Sequence, residues 1–286
     1  MARDGAVNPD LRTRDDGAES RSRKSSDVMT ERVTMTPEQR PALEILAVSK
    51  EYPGGVRALD RVHLTVETGE FVAVVGASGC GKSTLIRLVA GLEVPTSGSI
   101  RALGLSPEQI RVQRGFGVVF QDPALFPWRT VRQNILLPAE LARDRSTASR
   151  VDEWIGRVGL TGFENALPAQ LSGGMRSRVA IARALVSRPP FLMMDEPFGA
   201  LDELTRGAMQ QELLGVWSAY GPTTLFITHS VAEALFLSDR VVVMSPRPGR
   251  VASVEDVPFP RPRDLHLRHS SAFTQLEERL LNLLGG

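Results

Sequence analysis

One stretch of the chain has the residue types and spacing of a phosphate-binding loop. It consists of Gly76, Ala77, Ser78, Gly79, Cys80, Gly81, Lys82, Ser83 and Thr84. The pattern G-x-x-x-x-G-K-S follows an apolar, β-branched run and precedes a helical segment, which is the context that such a loop requires. Its glycines let successive N–H groups turn toward phosphate oxygens, and the start of the following helix adds positive potential. We expect Lys82 to reach the β- and γ-phosphates of ATP, Ser83 to bind Mg²⁺, and Cys80 to be a small filler residue.

A second group of chemical interest is a pair of acids at the end of an apolar run. Asp195 and Glu196 directly follow Phe191–Met194. An aspartate at the end of such a strand is expected to hold the Mg²⁺ that accompanies a nucleotide. Glu196 is expected to orient and deprotonate an attacking water. Together with the phosphate loop, the pair therefore predicts nucleotide hydrolysis as well as nucleotide binding.

A second anion site is predicted where Leu171-Ser172-Gly173-Gly174-Met175 precedes a helical segment. A serine hydroxyl and glycine N–H groups at a helix N-terminus can bind phosphate oxygens. This segment resembles the signature motif of the ATP-binding cassette (ABC) family, and the resemblance extends from Leu43 to Arg250. It departs from the family pattern at Met175 and Ser177, where glutamine is common, but Ser172 and Gly174 are retained.

The resemblance assigns roles to four further residues. Gln121 matches the Q-loop glutamine, which contacts Mg²⁺ and senses the γ-phosphate. Asp202 matches the D-loop, which crosses the dimer interface, and His229 matches the switch histidine, which contacts the γ-phosphate. Tyr52 matches the aromatic residue that stacks on adenine. In this family two chains pair head to tail, so the resemblance implies a homodimer in which each signature closes the other chain's nucleotide site.

The sequence pattern predicts an α/β fold, a P-loop NTPase ABC cassette with an antiparallel β subdomain and an inserted helical subdomain. Alternating residues at 61–67 favour an antiparallel strand, and the continuous apolar run at 71–75 favours a strand buried on both faces. The predicted domains are a disordered tail (1–41), the ATPase domain (42–264, helical subdomain about 122–182) and an amphipathic C-terminal helix (265–286).

The composition restricts the partners that the chain is expected to have. The formal net charge is +1, which gives no reason to expect nucleic acid. One cysteine cannot form a disulfide within the chain, and no apolar run approaches the roughly 18 residues that span a bilayer. We therefore expect a chain that does not itself span a membrane, and the family resemblance implies a peripheral subunit at the cytoplasmic face of one.

Residues 121–131, 241–250 and 260–263 resemble those of importers of the nitrate, sulfonate and taurine group. The resemblance implies that the chain energises membrane permease subunits, which work with a solute-binding protein. The predicted function is import of a small anion such as an aliphatic sulfonate, taurine or nitrate. The alternatives are a soluble ABC ATPase that acts on ribosomes or DNA, and the ATPase subunit of an exporter. The transported solute does not touch this subunit, so its identity rests on analogy alone.

Overall fold

The computed structural model describes residues 41–285, so 1–40 of the predicted tail lie outside the described residues. Within that range the chain forms two β-sheets flanked by helices. The strands are β1 (Leu43–Tyr52), β2 (Val56–Val66), β3 (Phe71–Gly76), β4 (Ser97–Ala102), β5 (Phe116–Val119), β6 (Phe191–Asp195), β7 (Thr223–Ile227), β8 (Arg240–Met244) and β9 (Val251–Asp256). The helices are α1 (Lys82–Val89), α2 (Pro107–Val112), α3 (Val131–Ala142), α4 (Arg145–Ala148), α5 (Val151–Arg157), α6 (Gly173–Leu185), α7 (Glu203–Tyr220), α8 (Val231–Leu237) and α9 (Ser271–Gly285).

The smaller sheet is antiparallel and has the strand order β2-β1-β4. Ile45 of β1 is paired with Leu64 of β2 on one side and with Ile100 of β4 on the other. All three side chains are buried, while their neighbours along each strand are more exposed. The antiparallel strand that the alternation predicted is confirmed, and it extends back to Val56.

The larger sheet has the order β5-β6-β7-β3-β8-β9, and it is parallel except for β9. Its central strand β3 separates two apolar cores. Phe71, Ala73 and Val75 pack against helices on one face, whereas Val72 and Val74 pack against α1 and the smaller sheet on the other. Because both faces of β3 are covered, its sequence is a continuous apolar run without alternation.

Parallel strands place their carboxyl ends at one edge of a sheet. At this edge of the larger sheet, the segments after β5, β6, β7, β3 and β8 begin side by side. The edge is therefore the part of the fold where side chains from five separate chain segments can meet.

The helical segment between β5 and β6 is fixed to its entrance loop by Asn134. This side chain is fully buried. Its amide donates to the carbonyls of Phe126, Arg129 and Thr130, and its oxygen accepts from the Phe126 N–H. Thr130 caps α3 by accepting from the Gln133 N–H at 3.3 Å. The loop at 122–130 therefore has a defined conformation in front of α3.

The C-terminal segment packs on α8 and the large sheet. A 3₁₀ turn (Leu265–His269) precedes α9, whose Phe273 and Leu280 are buried. Arg263 donates to the backbone carbonyls of Leu235, Phe236, Ser238 and Phe259, and burial lowers its pKa to about 10. None of the helices within 41–285 combines the length and apolar character needed to cross a membrane.

Candidate functional site

The phosphate loop connects β3 to α1 in a conformation that glycine permits. Gly79 and Gly81 have φ values of 76° and 109°, which L side chains rarely adopt. A Cβ atom at Gly81 would lie 2.7 Å from the Leu59 side chain and 2.8 Å from the Ala58 carbonyl. The loop is thus pressed against β2, with its N–H groups at the start of α1.

Lys82 lies inside this loop and is buried. Its Nζ donates to the carbonyls of Gly76 at 2.7 Å and Ala77 at 3.0 Å. Cys80 is also buried, with its Sγ 3.9 Å from the same Nζ. The lysine charge therefore lies at the floor of the loop.

A cleft of about 530 Å³ opens above the loop. Its lining residues are Tyr52, Val56, Ala58, Ser78, Gly79, Gly81, Lys82, Ser83, Thr84, Gln121, Glu196, His229 and Arg247. The structure thus brings together predicted residues from the loop, from the carboxyl ends of β6 and β7, and from the segment after β5.

Glu196 is the centre of the polar cluster on one side of the cleft. Its Oε2 accepts from Gln121 Nε2 at 3.4 Å and lies 3.3 Å from His229 Nδ1. The residue has a left-handed backbone with φ 47°, held by a 2.9 Å hydrogen bond from its N–H to the Ile227 carbonyl. The cluster therefore joins the ends of three adjacent strands at a single carboxylate.

Asp195 lies beneath Glu196 and is 5% exposed. Burial raises the pKa of its carboxyl; a hydrogen bond from Ser83 opposes this shift, and the negative charge of Glu196 reinforces it. Within the described part of the chain, Asp195 Oδ1 has no hydrogen-bond partner. A buried carboxylate oxygen without a donor, beside a serine hydroxyl, fits the oxygen ligands that Mg²⁺ prefers.

Tyr52 stands at the opposite end of the cleft. Its hydroxyl donates to Glu93 Oε2 at 2.8 Å and lies 3.3 Å from Thr84 Oγ1. Lys50 Nζ is 5.2 Å from the centre of the ring. These contacts hold the aromatic ring at the mouth of the cleft, where a flat base can pack on it.

The signature segment and Asp202 do not line this cleft. Ser172 is exposed, and its Oγ caps α6 by accepting from the Met175 N–H at 3.2 Å. Asp202 caps α7 by accepting from the Thr205 N–H at 3.0 Å, and this bond lowers the pKa of its carboxyl. The four predicted residues Ser172, Gly173, Gly174 and Asp202 thus form a separate surface at the starts of two helices.

Arg247 also lines the cleft, although no sequence motif predicted it as a site residue. It follows β8, the fifth parallel strand, just as Gln121, Glu196 and His229 follow β5, β6 and β7. Its place after an apolar strand was the available signal.

These features define a phosphate-loop ATPase of the α/β type. A family model described as ABC transporter matches residues 59–199. The ATP-binding cassette MJ0796, in a dimeric structure bound to ADP and Pi, is 31% identical, with a TM-score of 0.70 over 76% of this chain and 100% of that one. The chain belongs to the ABC transporter family of ATP-binding proteins, and it is an ATPase.

The curated relatives are similar over most of the chain. An uncharacterized ABC transporter ATP-binding protein of Methanocaldococcus jannaschii is 47% identical over 80% of this chain and 85% of its own length. The nitrate import ATP-binding protein NrtD of Synechococcus elongatus is 44% identical over 83% and 89%, respectively. The aliphatic sulfonates import ATP-binding protein SsuB of Bacillus cereus is 40% identical over 83% and 92%. The resemblance predicted from the motifs is thereby confirmed.

Proposed function

We propose that this ATPase energises a membrane permease that imports a small anion, such as an aliphatic sulfonate, taurine or nitrate. The observation that carries the proposal is that relatives named as sulfonate and nitrate import proteins match 83% of the chain. In the proposed importer the chain lies at the cytoplasmic face of the membrane, and a solute-binding protein delivers the anion to the permease.

The roles proposed for the cleft follow from its contacts. Lys82 and the loop N–H groups bind the phosphates, which concentrates positive potential where negative charge develops during phosphoryl transfer. Glu196 accepts a proton from the attacking water, while His229, 3.3 Å from that carboxylate, helps to hold the water in place.

Ser83, Gln121 and Asp195 are the residues proposed to hold Mg²⁺. Among residues 41–285, no cluster of three or more His, Cys, Asp or Glu side chains could hold a metal ion. A site made of one carboxylate, a hydroxyl and an amide therefore depends on nucleotide phosphates for further ligands, as is usual for Mg²⁺. Bound there, the ion neutralises phosphate charge.

A homodimer is proposed because the signature surface lies apart from the cleft of its own chain. Ser172 and the N–H groups of Gly173 and Gly174 form an exposed helix start, which attracts anions. A head-to-tail pair, as the family resemblance implies, would bring this surface to the γ-phosphate in the partner's cleft. The dimeric solved cassettes that resemble this chain support such an arrangement.

The proposed docking site for the permease is a groove of about 560 Å³ beside the helical segment. Its apolar lining includes Leu92, Phe116, Phe120 and Leu141. Trp128, on the loop before α3, is 70% exposed. Apolar side chains at an accessible groove are typical of surfaces that bind a partner helix.

The import proposal is tested by growth of the source organism with Glu196→Gln at the native locus. We expect the variant to lose growth on at least one of these anions, with an aliphatic sulfonate or taurine as the only sulfur source or nitrate as the only nitrogen source. Growth on sulfate or ammonium should be unchanged. Normal growth of the variant on all three anions would contradict the proposed solute class.

The shared-site proposal is tested with the purified Glu196→Gln chain. Without its water-activating carboxylate, the chain should bind ATP but turn it over at least about 100-fold more slowly. ATP should then hold it as a dimer, which size-exclusion chromatography with light scattering detects. A monomer both with and without Mg-ATP would count against a site shared between chains.

A further inference from the structure

The turn between β8 and β9 is hydrogen-bonded to β2 and packs against the phosphate loop. The Gly249 N–H donates to the Ala58 carbonyl at 2.9 Å, and the Asp60 N–H donates to the Gly249 carbonyl at 3.0 Å. A Cβ atom at Gly249 would lie 2.1 Å from the Cys80 carbonyl. The backbone of this turn is therefore in direct contact with the loop, and its side chains have a fixed origin.

Arg247 extends from this turn to the rim of the cleft. Its Nε donates to the Gly79 carbonyl at 3.1 Å. A Cβ atom at Gly79 would lie 3.5 Å from Nη2 of Arg247, so the guanidinium rests on the glycine face of the loop. One N–H of the guanidinium is used by the loop backbone, and Arg247 is among the residues that line the cleft.

Among the described residues, no acidic side chain forms an ion pair with Arg247. None of the ion pairs within residues 41–285 involves it, whereas Arg250, three residues later, pairs with Asp60. Of the side chains that line the cleft, Arg247 and Lys82 carry permanent positive charge. Because Nζ of Lys82 donates to two carbonyls at the floor of the loop, Arg247 is the cation at the open side.

We propose that Arg247 is a nucleotide-binding residue whose guanidinium binds phosphate oxygens of ATP above the loop. The inference rests on the proposed use of this cleft for ATP. A guanidinium matches phosphate oxygens in geometry and charge. The hydrogen bond to Gly79 already restricts the orientation of the Arg247 side chain, so less conformational entropy is lost when it binds phosphate. Five parallel strands then each supply the nucleotide site through the segment that follows them.

The alternative role for Arg247 is a clasp, meaning that its hydrogen bond to Gly79 stabilises the loop without any contact with the nucleotide. Loss of this clasp would destabilise the nucleotide-free chain and would lower the affinity for every ligand of the cleft by the same factor. A phosphate contact would instead affect ligands in proportion to their phosphate charge. The two roles can therefore be distinguished by comparing the affinities for nucleotides that carry different numbers of phosphates.

The test is calorimetric titration of the purified wild-type, Arg247→Ala and Arg247→Lys chains with AMP, ADP and the non-hydrolysable analogue AMP-PNP. We expect Arg247→Ala to weaken AMP-PNP binding about tenfold, as for loss of one charge-assisted hydrogen bond, and AMP binding by much less. Added salt should narrow the difference between variant and wild type. Arg247→Lys should bind with intermediate affinity, since it keeps the charge but not the fork.

The matched control is Arg101→Ala, which removes the same charge from an exposed position on β4. Equal weakening by the two variants would overturn the proposal, because it would reflect net charge alone. An equal fold-loss for AMP and AMP-PNP, with a lower melting temperature of the nucleotide-free Arg247→Ala chain, would establish the clasp instead. Failure of the wild-type chain to bind AMP-PNP would contradict the proposed ATP site itself, and with it the role of Arg247.

Discussion

Gly81 has no room for a side chain, because Leu59 and the Ala58 carbonyl lie within 3 Å of where a Cβ would be. Gly81→Ala must also hold alanine at φ 109°. We expect it to lower the free energy of unfolding by about 1–3 kcal/mol and to abolish ATP binding. Urea denaturation and nucleotide titration measure the two effects. Gly156→Ala, at a helical glycine with open space around it, should leave ATP binding unchanged and raise the free energy of unfolding by up to about 1 kcal/mol.

Asp195 is predicted to make stability depend on pH. Burial raises the pKa of its carboxyl in the folded chain above the ordinary value of 3.8. The folded chain therefore binds this proton more tightly than the unfolded chain does. The resulting stabilisation is full below the unfolded pKa and is lost as pH rises through the folded pKa.

Asp195→Asn cannot ionise, so the pH-dependent loss should be absent from the variant. We expect its free energy of unfolding, relative to wild type, to increase as pH rises above about 4, the ordinary pKa of an unfolded aspartate, in Mg²⁺-free urea titrations. Its ATPase activity should fall because a proposed Mg²⁺ ligand is gone. A difference that stays constant over this pH range would show that Asp195 titrates alike in both states.

Most residues of the nucleotide cleft were predictable because each follows a strong local pattern. Lys82 belongs to an eight-residue motif, and Glu196 ends an apolar strand. His229 and Gln121 were identified only through the family resemblance, since a lone histidine or glutamine has no signal of its own. Arg247 was not predicted because its position in the cleft depends on the strand order. That order places β8 next to β3, and a single sequence does not reveal it.

At the scale of elements, a buried polar network connects β7, α7, α8 and the C-terminal segment. Thr228 donates to Glu233 Oε2 at 2.6 Å, and Gln210 donates to Glu233 Oε1 at 3.2 Å. Arg268 of the 3₁₀ turn donates to Gln210 Oε1 and packs 4.6 Å from the centre of the Phe236 ring. The segment after the cassette is thus linked by hydrogen bonds to the residue that precedes His229.

Removing the arginine from this network should leave a buried amide oxygen without a donor. Arg268→Met keeps an apolar stem on Phe236, so the loss is mainly polar. We expect a destabilisation of about 1–3 kcal/mol in urea titrations. Arg279→Met, which removes an ion pair between the exposed Arg279 and the partly buried Glu255, should cost no more than about 1 kcal/mol. Equal costs for the two variants would indicate that the network adds nothing beyond surface charge.

The strands that the sequence did not reveal are the short or half-exposed ones. β5 has four residues, and β4 is largely polar, so neither gives a periodic signal. β9 is an edge strand whose side chains are intermediate or exposed, and it pairs antiparallel with β8. These strands form because neighbouring strands offer hydrogen bonds, which is a tertiary cause that local patterns do not contain.

At the scale of the whole molecule, the proposed division of the site between two chains predicts complementation. Lys82→Ala disables the cleft, and Ser172→Arg disables the signature surface, so each variant alone should be inactive. In an equal mixture, half of the pairs are mixed and each contains one intact site. About a quarter of the wild-type ATPase rate should therefore return if sites act independently.

The matched control for this mixture is Lys82→Ala with Glu196→Gln. Both substitutions lie in the cleft, so a mixed pair has no intact site and should stay inactive. Recovery in the first mixture but not in the second identifies a site built from both chains. Absence of recovery at every mixing ratio would contradict the head-to-tail pairing.

The position of Ser172 outside the cleft of its own chain has a consequence for when ATP is hydrolysed. In the proposed pair, a solitary chain can hold ATP but lacks the groups that complete hydrolysis, so it consumes none while it waits. Turnover of free chains then scales with the square of their concentration, because it requires an encounter. In the proposed importer, a permease that holds two chains side by side removes this dependence on concentration. ATP is then hydrolysed where a transport path is present.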